Sequence, residues 1–204
     1  MGGINTIIFD LGGVLIDWNP GSVFDENYFE SKEQRDFFFN NVCTADWNEN
    51  QDAGYPIAKA TEEKLAEFPE WEKPIRDFYG RWVDMLGGPI HETVDIFRTL
   101  KQNSDLKFYA LTNWSAETFP VALERFDFLH WFDGRVVSGE EKMRKPFPEF
   151  YQLLLNRYDV RPEEALFIDD NLRNVIAAES LGIKSIYFKQ HSQLKDDLTI
   201  FGLI

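Results

Sequence analysis

A single cysteine, Cys43, is all the thiol chemistry that 204 residues provide. One cysteine closes no disulfide within the chain, which suits a reducing compartment, and Cys43 reads as a small half-buried hydrophobe rather than a reactive thiol. Histidine is nearly as scarce. His91, His130 and His191 follow no metal-ligand spacing and no triad pattern, and no Gly-x-Ser-x-Gly elbow is present, so a serine hydrolase is not expected. No apolar run approaches the roughly 18 residues of a membrane helix. The N-terminal apolar run is short, lacks a basic leader and is broken by Asp10, so a signal peptide is not expected and the cytoplasm is the expected location. Positive charge is short as well: 21 Lys and Arg against 35 Asp and Glu leave a formal charge of −14. That balance argues against a nucleic-acid backbone or an anionic membrane as the main partner. It also repels an anionic small molecule at long range, so such a substrate needs a cation and a local lysine at the site.

Large apolar side chains are plentiful. Hydrophobic residues make up 44% of the chain, with 19 Phe and 6 Trp, which argues against disorder. The length allows one core domain and a modest insertion. The most informative stretch is Ile7-Ile8-Phe9-Asp10-Leu11-Gly12-Gly13-Val14-Leu15. It reads as a buried parallel strand ending in a carboxylate on backbone that two glycines let bend. Alone, Asp10 is equally a turn-starting residue. Three further runs end in polar groups: Lys107 to Leu111 leads into Thr112-Asn113-Trp114-Ser115, and Arg135-Val136-Val137 into Ser138-Gly139-Glu140 with Arg144-Lys145-Pro146 following. Ala165 to Ile168 leads into Asp169-Asp170-Asn171. In an open α/β sheet, function collects at the carboxyl ends of strands.

Between these strands the pattern alternates with helices, predicted over 90–101, 116–126, 148–158 and 174–181, the last closed by Gly182. A final strand is predicted at Lys184 to Phe188. Residues 17–88 read differently. A helix capped by Ser22 is expected to about residue 42, an irregular polar stretch over 44–55, and helices over 56–68 and 71–86. Gly87-Gly88-Pro89 reads as a breaker that closes the insertion. The expected fold is a Rossmann-like α/β, doubly wound and mainly parallel sheet from residues 1–16 and 89–204, with 17–88 as an inserted helical cap without a strand of its own. Helices packed on the sheet within one domain are the alternative.

On these four motifs the chain resembles the haloacid dehalogenase-like hydrolase superfamily, in its phosphatase branch with a small helical cap. Asp10, Thr112, Lys145 and the Asp169-Asp170 pair stand in the family's order and span most of the chain. The Asp-Leu-Gly-Gly-Val start is similar to a bacterial subgroup that includes an α-D-glucose-1-phosphate phosphatase. The resemblance implies a magnesium-dependent phosphatase acting on a small phosphorylated metabolite, a sugar phosphate such as a sugar-1-phosphate, through an aspartyl-phosphate. It makes Asp10 the nucleophile, Thr112 a donor to a phosphoryl oxygen with the Asn113 N–H nearby, and Lys145 the partner of the phosphate and Asp10. Asp10, the Gly12 carbonyl, Asp169 and Asp170 are the implied Mg²⁺ ligands, all hard oxygen donors. Asn174 is expected to orient Asp169 or Asp170, or to cap its helix. Arg144 is a weaker phosphate candidate and Lys142 reads as surface. No oligomeric state is implied.

One position departs from the family's pattern. Its phosphatases carry a second Asp two residues after the nucleophile as general acid and base; here that position is Gly12. General acid–base catalysis is worth roughly 10²–10⁴-fold. Three readings follow: a phosphatase with a good leaving group, aided by water or by Asp17, Asp46, Glu49 or Asp52; a metal-independent 2-haloacid dehalogenase; or an inactive binding protein. Specificity is expected from the cap, with Trp47, Trp18 or Tyr55 stacking on a sugar ring, Asn48, Asn50 or Asp52 bonding hydroxyls, and Trp114 beside the site. Each of these aromatics also reads as core or hinge packing.

Overall fold

The computed structural model describes residues 3–204. Five strands form one parallel sheet: β1 (Thr6–Phe9), β4 (Lys107–Thr112), β5 (Gly134–Val137), β6 (Ala165–Asp169) and β7 (Lys184–Tyr187), in the order β5-β4-β1-β6-β7. The chain runs outward from β1 to β4 and β5 on one side, then returns to β6 and β7 on the other. The point of reversal lies at β1, so the crevice above its carboxyl end is where such a sheet binds ligands.

The strands are apolar because both of their faces are covered. Ile7, Phe9, Phe108, Ala110, Leu166 and Ile168 point to one layer, where Phe97 of α6 (His91–Leu100) and Leu194 and Leu198 of α11 (His191–Ile200) pack on them. Ile8, Tyr109, Leu111 and Phe167 point to the other. There they meet Phe150, Tyr151 and Leu154 of α9 (Pro148–Arg157) and Ala178 of α10 (Leu172–Ser180). The remaining core helices are the short α7 (Phe119–Arg125) and α8 (Ser138–Glu141).

The segment between β1 and α6 is mostly helical. It is entered and left through an antiparallel ribbon of β2 (Ile16–Trp18) and β3 (Leu86–Pro89). Gly87-Gly88-Pro89 is therefore strand rather than breaker, and the ribbon crosses both edges of the 17–88 segment, which is not strandless. A Cβ on Gly87 would lie 2.6 Å from Asp17 Oδ2, so the glycine is what lets the two strands approach. Inside the ribbon lie α1 (Lys32–Phe37), α2 (Ala45–Asp52), α3 (Ile57–Glu67), α4 (Glu72–Gly80) and α5 (Trp82–Met85). They enclose an apolar cluster that includes Phe24, Phe38, Ile75, Phe78 and Met85.

Other expectations for this segment need correction. No helix begins at Ser22; residues 20–22 form a single tight turn, Asp25 accepts from the Asn27 N–H, and α1 starts only after Ser31, whose Oγ accepts from Gln34 N. Those local side-chain bonds compete with helix. The polar 44–55 stretch, expected to be irregular, contains α2, because Thr44 Oγ1 caps it by accepting from Trp47 N. The helix expected over 71–86 breaks at Arg81, which is non-helical between α4 and α5. At the far end, α11 forms where the sequence pattern predicts no element.

Phe24 is fully buried and packs against Tyr28, Phe29, Phe38, Phe39 and Phe78. Phe24→Ala should therefore cost about 3–5 kcal/mol in urea unfolding; a loss under about 1 kcal/mol would show that this cluster does not hold the segment together.

Candidate active site

Sheet order explains how residues far apart in sequence meet. β1 lies between β4 and β6, so Asp10, Thr112 and Asp169 emerge side by side at adjacent strand ends. Lys145 arrives from the loop after α8, and Asn113 fixes it there: Lys145 N donates to Asn113 Oδ1 at 2.8 Å, and Asn113 Nδ2 donates to the Lys145 carbonyl at 3.1 Å.

The Lys145 ammonium has no exposure at all and bridges two carboxylates, Asp10 Oδ1 at 2.8 Å and Asp169 Oδ2 at 2.7 Å. Burial alone would lower the lysine's pKa, but Asp10 and Asp169 hold it above the usual range, so it remains charged. Asp169 is locked from other sides: Asn174 Nδ2 donates to both of its oxygens at 3.1 Å, and Asn171 N donates to Oδ1 at 2.7 Å. Asn174 thus orients Asp169, and Asn171 caps α10. Asn174 is itself anchored, since its carbonyl accepts from the Tyr151 hydroxyl at 2.9 Å.

Asp10, Asp169 and Asp170 bring carboxylate oxygens within 4.8 Å of one another. One lysine does not balance three carboxylates. Burial pushes the Asp10 carboxyl up to about 8, Lys145 pulls it down, and Asp169 and Asp170 push it up again. Asp170 is likewise raised, by burial first and then by Asp169. A divalent cation offsets that repulsion, and a donor set made only of oxygen fits a hard ion such as Mg²⁺. Gly13 has φ +74°, and a Cβ there would lie 2.1 Å from Asp170 Oδ2. The glycine is the floor on which the Asp170 carboxylate rests.

A cavity of about 210 Å³ opens above these groups. Asp10, Gly12, Gly13, Asn113, Trp114 and Asp170 line it from the sheet side; Trp18, Asn48, Asp52 and Trp82 line it from the ribbon and helices. Among the described residues, the Thr112 hydroxyl and Trp114 Nε1 are buried without a partner. A substrate oxygen would satisfy either.

Of the residues expected at the site, Asp10, Gly12, Thr112, Asn113, Trp114, Lys145, Asp169 and Asp170 are brought together. Trp47 is not. Its indole packs on Phe78 and Tyr79 and lines a separate cavity of about 570 Å³, together with Asn50 and Tyr55. Tyr55 instead donates to Glu63. Asp17 and Asp46 are exposed away from the cavity, and Glu49 is bound by Arg144 and Arg173, which ties α2 to the sheet layer. Trp82 was missed, because its helical spacing reads as core. It stands at the centre of a wall, with its ring 5.6 Å from Trp18 and 5.8 Å from Trp114.

The chain matches the family model described as haloacid dehalogenase-like hydrolase over residues 4–182. It is 31% identical to a sesquiterpene phosphatase of Aspergillus oryzae over 185 residues, 88% of this chain and 87% of that protein. With a phosphorylated carbohydrates phosphatase of Thermotoga maritima it shares 27% identity over 196 residues, 93% of this chain and 87% of that one. A HAD family enzyme of Bacteroides thetaiotaomicron, solved in complex with magnesium and inorganic phosphate, superposes with a TM-score of 0.71 at 22% identity, covering 94% of this chain and 99% of that one.

Gly13→Ala should displace Asp170 and weaken Mg²⁺ binding by about tenfold or more, read by calorimetric titration, because a carboxylate ligand is driven from its place. Unchanged affinity in the folded variant would remove Asp170 from the ligand set.

Proposed function

The chain belongs to the haloacid dehalogenase-like hydrolase family, and from that premise we propose that it is a magnesium-dependent phosphomonoester hydrolase of small phosphorylated metabolites, working through an aspartyl-phosphate on Asp10. One observation carries this reading: a buried lysine shared by Asp10 and Asp169, beside a third carboxylate and an unpartnered threonine hydroxyl. Phosphoryl transfer needs positioning and charge neutralisation above all. Asp10 Oδ2 is the oxygen left for attack, since Oδ1 is occupied by the Leu11 N–H and Lys145. Thr112 Oγ1 and the Lys145 ammonium receive phosphoryl oxygens, and Asn113 keeps Lys145 in place. Asp169, Asp170, Asp10 and the Gly12 carbonyl would hold Mg²⁺, which when bound supplies positive charge to the transferring phosphoryl group. A dehalogenase, releasing halide without a proton or a metal, has no use for the Asp169-Asp170 cluster.

The cavity supports a compact substrate. Its volume of about 210 Å³ is that of roughly seven waters, and it offers flat tryptophan faces with Asn48, Asn113 and Asp52 between them. A sugar phosphate, sugar-1-phosphates included, fits that mixture, and the Thermotoga maritima relative is named for phosphorylated carbohydrates. The Trp18-Trp82-Trp114 wall favours a second substrate class, an apolar alkyl or prenyl phosphate, which is in line with the name of the Aspergillus oryzae relative. In either case the helical segment acts as a cap that keeps water from the site.

The test is phosphate release from a panel of sugar-1-phosphates, sugar-6-phosphates, prenyl phosphates and nucleotides, with Mg²⁺ or chelator and with a 2-haloacid as control. Turnover that requires Mg²⁺ and falls by at least about 10⁴-fold in Asp10→Asn is expected for loss of a nucleophile. Halide release, or phosphate release that persists in Asp10→Asn, would contradict the assignment.

A further inference from the structure

Phosphate-ester hydrolysis moves a proton twice, and Gly12 has no side chain to move it. Three ionisable side chains line the cavity: Asp10, Asp170 and Asp52. Asp10 is committed as the attacking group and Asp170 to the carboxylate cluster. Asp52 remains.

Asp52 is carried by the last turn of α2 and is brought to the sheet edge by its own backbone. Its carbonyl accepts from Ser138 Oγ at 2.5 Å, at the end of β5. Two residues on, Gly54 has φ +92°, and a Cβ there would lie 3.0 Å from the Gly139 carbonyl. Gly139 is itself pressed so closely on the loop after β4 that a Cβ would lie 2.2 Å from Ala116 N. The chain after α2 is thus pressed onto the loop that carries Asn113 and Trp114. The carboxylate is aimed as well as delivered. Tyr79 donates to Asn48 Oδ1 at 2.9 Å, and Asn48 Nδ2 donates to Asp52 Oδ2 at 3.0 Å, a relay that fixes the carboxylate in the cavity wall.

We propose that Asp52 is the proton carrier of the reaction: it protonates the leaving oxygen as Asp10 is phosphorylated and then deprotonates the water that frees Asp10. The inference rests on the phosphatase reading. In the first step Asp10 Oδ2 attacks phosphorus. The bond from phosphorus to the leaving oxygen breaks with its electron pair on oxygen, and that oxygen takes the Asp52 proton, giving the alcohol and an Asp52 carboxylate. In the second step water attacks phosphorus and gives a proton to Asp52, while the bond from phosphorus to Asp10 breaks and restores the Asp10 carboxylate. Each residue ends as it began, and the products are alcohol and phosphate.

The charge environment agrees. Burial pushes the Asp52 carboxyl up to about 8, with Asp10 adding to the rise and the Ser115 N–H opposing it. The other titratable groups facing it are Asp170 across the cavity and the Tyr79 hydroxyl from α4, which burial and Asp52 keep above the usual phenol range. Lys145 lies behind Asp10, bound to Asp10 and Asp169. Burial thus favours the acid form of Asp52, which donation requires, and donation weakens as rising pH removes that proton.

A proton donor matters most for a poor leaving group. The experiment compares kcat/KM, which reports the steps through phosphorylation of Asp10, for a sugar-6-phosphate and for acetyl phosphate, in wild type and Asp52→Asn. The variant should lose about 10²-fold or more on the sugar phosphate but less than about tenfold on acetyl phosphate, whose leaving group needs no proton. Its alkaline limb on the sugar phosphate should also disappear. Equal losses on both substrates, or no loss on either, overturn the assignment while leaving the phosphatase reading intact. A wild type silent on every phosphate overturns both. Retained acetyl phosphate turnover reports a folded variant; if Asp52→Asn is not recovered folded, Asp52→Glu keeps a proton donor and should close the gap between the two substrates, and a gap that stays open overturns the assignment.

Discussion

The site depends on one buried ammonium. Lys145 lies between Asp10 and Asp169 with no exposure, and its charge persists in the interior because both carboxylates lie within 2.8 Å. A buried charge that loses its partner costs about 3–5 kcal/mol. That penalty dictates much of what surrounds the lysine: the reciprocal bonds of Asn113 to its backbone, the double donation of Asn174 to Asp169, and the Tyr151 hydroxyl that anchors Asn174. The result is a carboxylate at Asp10 held in one rotamer, which an in-line attack on phosphorus requires. In a chain of formal charge −14 it also places a cation where an anion would otherwise meet carboxylates alone.

The second constraint is how the helical segment reaches this centre. Its contacts with the sheet layer are of two kinds: polar ones, Glu49 with Arg144 and Arg173, the Asp52 carbonyl with Ser138 and Ile57 N with Glu117, and an apolar one at Trp82, which packs on Trp114. Its own apolar cluster is joined to one of the two that sandwich the sheet through Trp18 and Tyr79, which pack against both. The cavity and its tryptophan wall lie between the two layers and are lined from both.

Much of the α/β core was legible in the sequence for a simple reason: parallel strands covered on both faces read as continuous apolar runs, and the polar residues that end them mark the functional edge. Ile7 to Asp10, Lys107 to Thr112 and Ala165 to Asp170 follow that rule without exception. The helical segment was far less legible. In the 44–55 stretch, polar residues that commonly form turns lie instead on a helix capped by Thr44, because Trp47 packs on Phe78 and Tyr79, neighbours that only the fold supplies. Gly87 and Gly88 read as a break, although Gly87 serves close pairing with β2. Four acidic residues were equal candidates to stand in for the missing side chain at Gly12. Choosing Asp52 over Asp17, Asp46 and Glu49 needs the docking of the 52–54 turn on Ser138 and Gly139, a long-range contact that no local pattern encodes.

The central claim is that Asp10 becomes covalently phosphorylated. The most direct measurement is mass spectrometry of the protein after mixing with Mg²⁺ and acetyl phosphate and quenching in acid within the first turnover. One phosphoryl group is expected, on the peptide that contains Asp10 and absent from Asp10→Asn. A protein that releases phosphate while its Asp10 peptide stays unmodified, or one labelled at another residue, would contradict it.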